Sequence, residues 1–282
     1  MSLLLAMLMQ VGPFGTTPAP SAPPRPPEAA RPAANAAPQP LPERPRSRLE
    51  FCLDDAASSP VDAIDDAEGW RDVTTGPGQA EPLLCLGSAH ARLEHWNEAE
   101  QAFLAARDAA APGDSALRAK LGAMAGNAAL AQGAFEQALS ALDLARSDAA
   151  AAAADSRLTG EIAIDRARAL VALKRPDDAA LALGEARAAA ADNGLAWLLS
   201  ATLSRRQGNL AEAQAQITTA AGLAPRDPEI GLEAGVIAML AGNEAAARRS
   251  WQSAIDTAPT SDAATTARGY LAQLAAPAQS KP

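Results

Sequence analysis

One short pattern returns five times between residues 95 and 247, and it limits the folds open to this chain more than any other feature. A turn closes on an alanine in His95-Trp96-Asn97-Glu98-Ala99, Gly133-Ala134-Phe135-Glu136-Gln137-Ala138, Arg175-Pro176-Asp177-Asp178-Ala179, Gly208-Asn209-Leu210-Ala211-Glu212-Ala213 and Gly242-Asn243-Glu244-Ala245-Ala246-Ala247. The closing alanines are spaced by 39, 41, 34 and 34 residues. Four residues after each stands a large apolar residue: Phe103, Leu142, Leu183, Ile217 and Trp251. Seven after stands another alanine, and twelve before stands Gly87, Gly126, Ala167, Ala201 or Gly235. Small residues on two neighbouring helices let their axes approach closely, and the large residue on the same face fills the gap between units. Pro225 and Pro259 each follow their alanine by twelve and end the second helix, because proline cannot continue one.

These slots resemble the tetratricopeptide repeat, a helix-turn-helix unit of about 34 residues. The resemblance implies an all-α, TPR-type helical-repeat solenoid. It would hold about five helix-turn-helix repeats over 80–259, a degenerate helix pair over 47–72 and a capping helix over 260–275. The capping helix opens on Ser261-Asp262, a plausible N-cap, and carries Tyr270, Leu271 and Leu274 on one side. In the degenerate pair, Ser59-Pro60-Val61-Asp62-Ala63 is similar to the later turns, and Trp70 is expected to be buried. The chain departs from the family in its aromatic slots. The early tryptophan of the first helix is present only as Trp197, and the later aromatic slot holds His90, Ala129, Leu170, Ser204 and Ala238. The two long spacings leave extra residues near 108–115 and 147–157, and the alanine-rich run 149–154 predicts about one or two added helical turns there.

Composition agrees with helices. Aromatics are 3% of the chain, alanine is abundant, and alternating β-branched runs are absent. The net charge of -9 argues against nucleic acid as a partner.

Residues 1–12 hold the apolar run Met1-Ser2-Leu3-Leu4-Leu5-Ala6-Met7-Leu8-Met9, too short to span a bilayer and the length of a secretory signal core. No Lys or Arg precedes the run, and no clear small-x-small site follows it. The expectation is a periplasmic or exported bacterial protein, with a cytoplasmic one as the alternative. Residues 13–46 read as a disordered Pro/Ala-rich linker, with twelve prolines between 13 and 45, and 276–282 as a disordered tail. Cys52 and Cys85 lie 33 apart, near one repeat period, so a disulfide stapling the degenerate pair to the first good repeat is one reading and two buried thiols the other.

No phosphate-binding loop, nucleophile elbow or metalloprotease motif occurs, and His90 and His95 lack the spacing of a zinc site. Asp54, Asp55, Asp62, Asp65 and Asp66 lack a calcium-loop pattern and read as a solvated face. No catalysis, cofactor or metal is therefore expected.

By resemblance, the first helices line a concave groove that takes an extended peptide. The groove positions, counted from the small slots, are Ser88 and Arg92, Lys120 and Asn127, Arg168, then Thr202, Arg205 and Arg206, and finally Leu232, Val236, Met239 and Leu240. The groove is thus expected to be basic in its middle and apolar at the last repeat, suiting an acidic or carboxylate-bearing segment. Alternatively, the basic residues serve the helix dipole and the apolar ones face the capping helix. The expected function is a protein-interaction scaffold or adaptor. The alternatives are a structural subunit of an envelope assembly whose groove is unused, and a regulatory module of an enzyme.

Overall fold

The computed structural model describes residues 45–275 of the 282-residue chain. The expected signal segment, the linker up to residue 44 and the tail 276–282 lie outside the described residues.

The described chain is a run of α-helices: α1 (Arg48–Ser58), α2 (Pro60–Asp72), α3 (Ala80–Arg92), α4 (Trp96–Ala109), α5 (Ser115–Gln132), α6 (Phe135–Ala151), α7 (Ser156–Ala172), α8 (Pro176–Ala189), α9 (Gly194–Arg206), α10 (Leu210–Leu223), α11 (Pro228–Leu240), α12 (Glu244–Thr257) and α13 (Asp262–Ala275). A short 3-10 turn, Gly76–Gln79, joins α2 to α3. From α3 onward the helices form five antiparallel pairs, α3/α4 to α11/α12, and each pair packs on the next. The first helices α5 and α7, and α9 and α11, also touch one another directly.

The repeated slots are the packing seams. All five closing alanines are fully buried, and the residues four later are at most 3% exposed. Three of the small slots are glycines held in close contact. Gly87, Gly126 and Gly235 receive Phe103, Leu142 and Trp251, where an added Cβ would stand 2.6, 2.4 and 2.2 Å from the opposing side chain. The two alanine slots, Ala167 and Ala201, belong to the repeats that carry Leu183 and Ile217.

Local chemistry starts and stops the helices. Side chains of Asp114, Asp155, Asn193, Asp227 and Ser261 accept a backbone N–H at the start of α5, α7, α9, α11 and α13. Ser47 and Glu50 form a reciprocal capping box at α1. The turn inside every pair passes through a left-handed residue five before the closing alanine. That residue is Gly133, Gly208 or Gly242 in three repeats, and Glu94 or Lys174 in the other two.

The extra residues of the long repeats extend helices rather than loops. α5 has 18 residues where α3, α9 and α11 have 13, and α6 and α7 have 17 each. The added turns are pinned by Arg107, a buried residue whose guanidinium reaches Asp148 on α6 at 2.8 Å, while Arg118 on α5 approaches the same carboxylate at 3.6 Å.

At the front, α1 packs on both α2 and α3, and the sulfurs of Cys52 and Cys85 are joined between α1 and α3, with Cα atoms 6.0 Å apart. Trp70 is buried beneath the Arg48 guanidinium. At the back, α13 covers Trp251, and the rings of Trp251 and Tyr270 lie 5.0 Å apart. Among the described residues no helix is long and apolar enough to cross a membrane.

Candidate functional site

The face lined by the first helices carries one apolar hollow of about 200 Å³, between α7 and α9. Its walls are Ala167, Val171, Leu183, Leu199 and Leu203, and its rim is Arg168, Thr202 and Arg206. The helical period makes this arrangement. Arg168 and Val171 stand one turn apart on α7, as Thr202 and Arg206 do on α9, so two adjacent first helices present polar groups over a shared apolar floor. The structure thus brings together three of the residues singled out by register.

The expected basic groove does not form as a row of free cations. Arg205 forks onto Glu233 of the next repeat, with Nε–Oε1 2.6 Å and Nη2–Oε2 3.3 Å, so its charge is spent joining α9 to α11. Arg168 donates to Asp165 at 2.7 Å. Asp165 is itself a buried carboxylate, and burial raises its pKa above the ordinary value, against the pull of Arg168 and of the Asn127 side chain that hydrogen-bonds to it. Asn127 and Arg168 therefore form one network across α5 and α7. Arg206, exposed at the end of α9, has no hydrogen bond or ion pair among the described residues. Lys120 and Arg92 are exposed as well, but Glu161 and Glu229 occupy the register of Lys120 in later repeats, which leaves the face mixed in charge.

The other expected positions divide. The hydroxyls of Ser88 and Thr202 donate to their own helices, at Leu84 O and Leu198 O, 2.8 and 3.0 Å away. Val236 and Leu232 are half-buried against the cluster around Trp251, to which Tyr270, Leu271 and Leu274 of α13 also pack. Met239 and Leu240 escape that cover and are 37% and 55% exposed. Leu199 and Val171, which make the hollow apolar, were not among the positions drawn from the sequence. Val171 sits in a groove register, four after Ala167, and that signal would have found it.

Asp54, Asp55, Asp62, Asp65 and Asp66 are exposed, and no group of three or more His, Cys, Asp or Glu able to hold a metal occurs among the described residues. His90 rests against the His95 ring at 5.8 Å in the aromatic slot of its repeat.

No protein-family model matches the sequence. No curated protein is similar enough to match it. Solved structures do match. One described as YrrB, a TPR protein with an unusual peptide-binding site, is 21% identical, with a TM-score of 0.50 over 76% of this chain and 99% of the other. BtubC from P. vanneervenii is 14% identical, with a TM-score of 0.57 over 84% of this chain and 98% of the other. MamA from Desulfovibrio magneticus is 14% identical, with a TM-score of 0.53 over 65% of this chain and 97% of the other. At these identities the likeness is one of fold, and the fold is the one the repeated slots imply: the chain is built as a tetratricopeptide-repeat solenoid.

Proposed function

We propose that this protein is an interaction scaffold that holds an extended polypeptide segment of a partner along the face lined by its first helices. The observation that carries this reading is the hollow between α7 and α9, an apolar floor with an unspent cation at its rim. Among the described residues, Arg206 is left free at that rim while Arg205, its neighbour, is locked to Glu233. YrrB, a TPR protein with a peptide-binding site, adds support from a protein of the same fold. The Cys52–Cys85 pairing and the apolar run at 1–9 favour action in an oxidising, exported setting.

Site-specific photo-crosslinking tests the reading. The crosslinking residue is placed at Lys120 or Thr202 on the inner face and at Leu181 or Gln214 on the outer one. Crosslinks to a polypeptide from the inner positions, reduced by Arg206→Glu, are expected. Arg168→Glu and Arg205→Glu are poor choices here, because they set a second carboxylate against Asp165 and Glu233. Crosslinks from the outer positions alone would favour a structural subunit.

A further inference from the structure

The division of labour among the arginines around the hollow says what kind of segment fits it. We infer that the hollow between α7 and α9 is a specificity pocket for one large apolar side chain, leucine or phenylalanine in size, flanked by a carboxylate that pairs with Arg206. This inference rests on the scaffold reading and narrows it to a ligand class.

The size argument comes first. An apolar cavity of about 150 Å³ takes up a benzene molecule. The hollow offers about 200 Å³ against walls of alanine, valine and leucine, so it accommodates one such side chain. Alanine would leave most of that surface wet and forgo the apolar area that drives burial.

The charge argument is independent of size. Arg168 lies within a pair that is close to neutral as a whole, because Asp165 sits 2.7 Å away. It keeps N–H groups to donate, which suits a peptide carbonyl, but brings little net attraction for an anion. Arg206 has no such partner among the described residues, and its planar fork matches a carboxylate. The Thr202 hydroxyl donates its hydrogen bond to Leu198 O, so its oxygen is left as an acceptor, suited to a peptide N–H. Acceptor, neutralised donor and free cation around an apolar floor select an acidic–apolar segment and disfavour a basic one.

The test uses the full chain with labelled valine and leucine methyls, titrated with three capped pentapeptides of sequence Ser-Glu-Leu-Glu-Ser, Ser-Glu-Ala-Glu-Ser and Ser-Lys-Leu-Lys-Ser. The expected result is saturable shifts at Val171, Leu199 and Leu203 with the first peptide. Affinity should be about ten-fold or more weaker for the other two. Arg206→Gln should weaken the first peptide by about ten-fold and flatten its salt dependence. Thr202→Phe should abolish the shifts by filling the hollow, with helix content checked by circular dichroism. Equal binding of the alanine or lysine peptide, or no saturable shift at these methyls with any peptide, overturns the inference. Crosslinking from Lys120 in that circumstance would leave the scaffold reading standing, whereas failure of both experiments removes both.

Discussion

A β-carbon at Gly235 would stand 2.2 Å from Nε1 of Trp251, a group whose N–H donates to the Leu232 carbonyl at 3.2 Å. The indole is also held by Tyr270, so it has little room to yield. Gly235→Ala is expected to cost about 1–3 kcal/mol from overpacking, measured by chemical denaturation. Gly184, inside α8, meets nothing within 4 Å, and Gly184→Ala is expected to stabilise by about 0.5–1 kcal/mol through helix propensity. The same substitution thus changes sign with the slot. His90 supplies a second residue-scale test. Its Nδ1 is buried without a partner, and burial lowers its pKa from the ordinary 6.5, with Glu98 and Glu68 opposing and His95 adding to the effect. A histidine lowered in the fold binds its proton more readily when unfolded. Its contribution is therefore present above pH 6.5 and is lost as pH falls through the folded value. His90→Phe, which restores the aromatic of this slot, should gain stability over the native chain as pH is lowered from about 7.5 to about 5.5. A constant difference across that range would remove the titration argument.

The turn inside each repeat is one element built five times with two chemistries. Its left-handed residue is glycine in three repeats, but Glu94 at φ 60° and Lys174 at φ 59° adopt the same conformation with a side chain. Left-handed backbone costs a non-glycine residue about 1–2 kcal/mol, part of which glycine gives back in unfolded-state entropy. Glu94→Gly and Lys174→Gly are each expected to raise stability by about 0.5–1 kcal/mol, read as a shift in denaturation midpoint at constant slope. Elements of this kind divide what was legible in the sequence from what was not. The seam residues could be read because an alanine with no exposure, such as Ala138 or Ala213, tolerates no other size and so recurs. Glu94 and Lys174 could not, since a backbone conformation leaves no mark when the residue is not glycine. The charge pairing along the groove was illegible for a different reason. Register places Arg168, Arg205 and Arg206 on one face, but whether each charge is spent depends on partners far along the chain, such as Glu233, which is 28 residues from Arg205. Val236 followed its register too, and is half-buried against the cluster around Trp251.

A solenoid has two ends, and this one closes them differently. In a linear array each pair is stabilised chiefly by its neighbours, so a lost end should loosen the adjacent pair and leave distant ones in place. At the front, α1 and α2 bury mostly small residues, Ala56, Ala63 and Ala67, together with Cys52 and Trp70. That is little apolar area for a helix pair, and the Cys52–Cys85 link supplies what packing does not, about 2–4 kcal/mol. At the back, no covalent link is needed, because Tyr270, Leu271 and Leu274 close over Trp251 and Val236. Two lesions therefore have separable consequences in hydrogen exchange. Reduction of the disulfide should raise exchange in α1 and α2 and leave α9–α12 protected. Ending the chain at Ala258 should raise exchange in α11 and α12, expose Trp251 to a fluorescence quencher, and leave α3–α6 protected. Uniform loss of protection from either lesion would mean that the array unfolds as one cooperative unit, and the nearest-neighbour account would fall. Protection that holds through α7 and α9 in both cases would show that the hollow stands on the middle of the array, independent of how either end is closed.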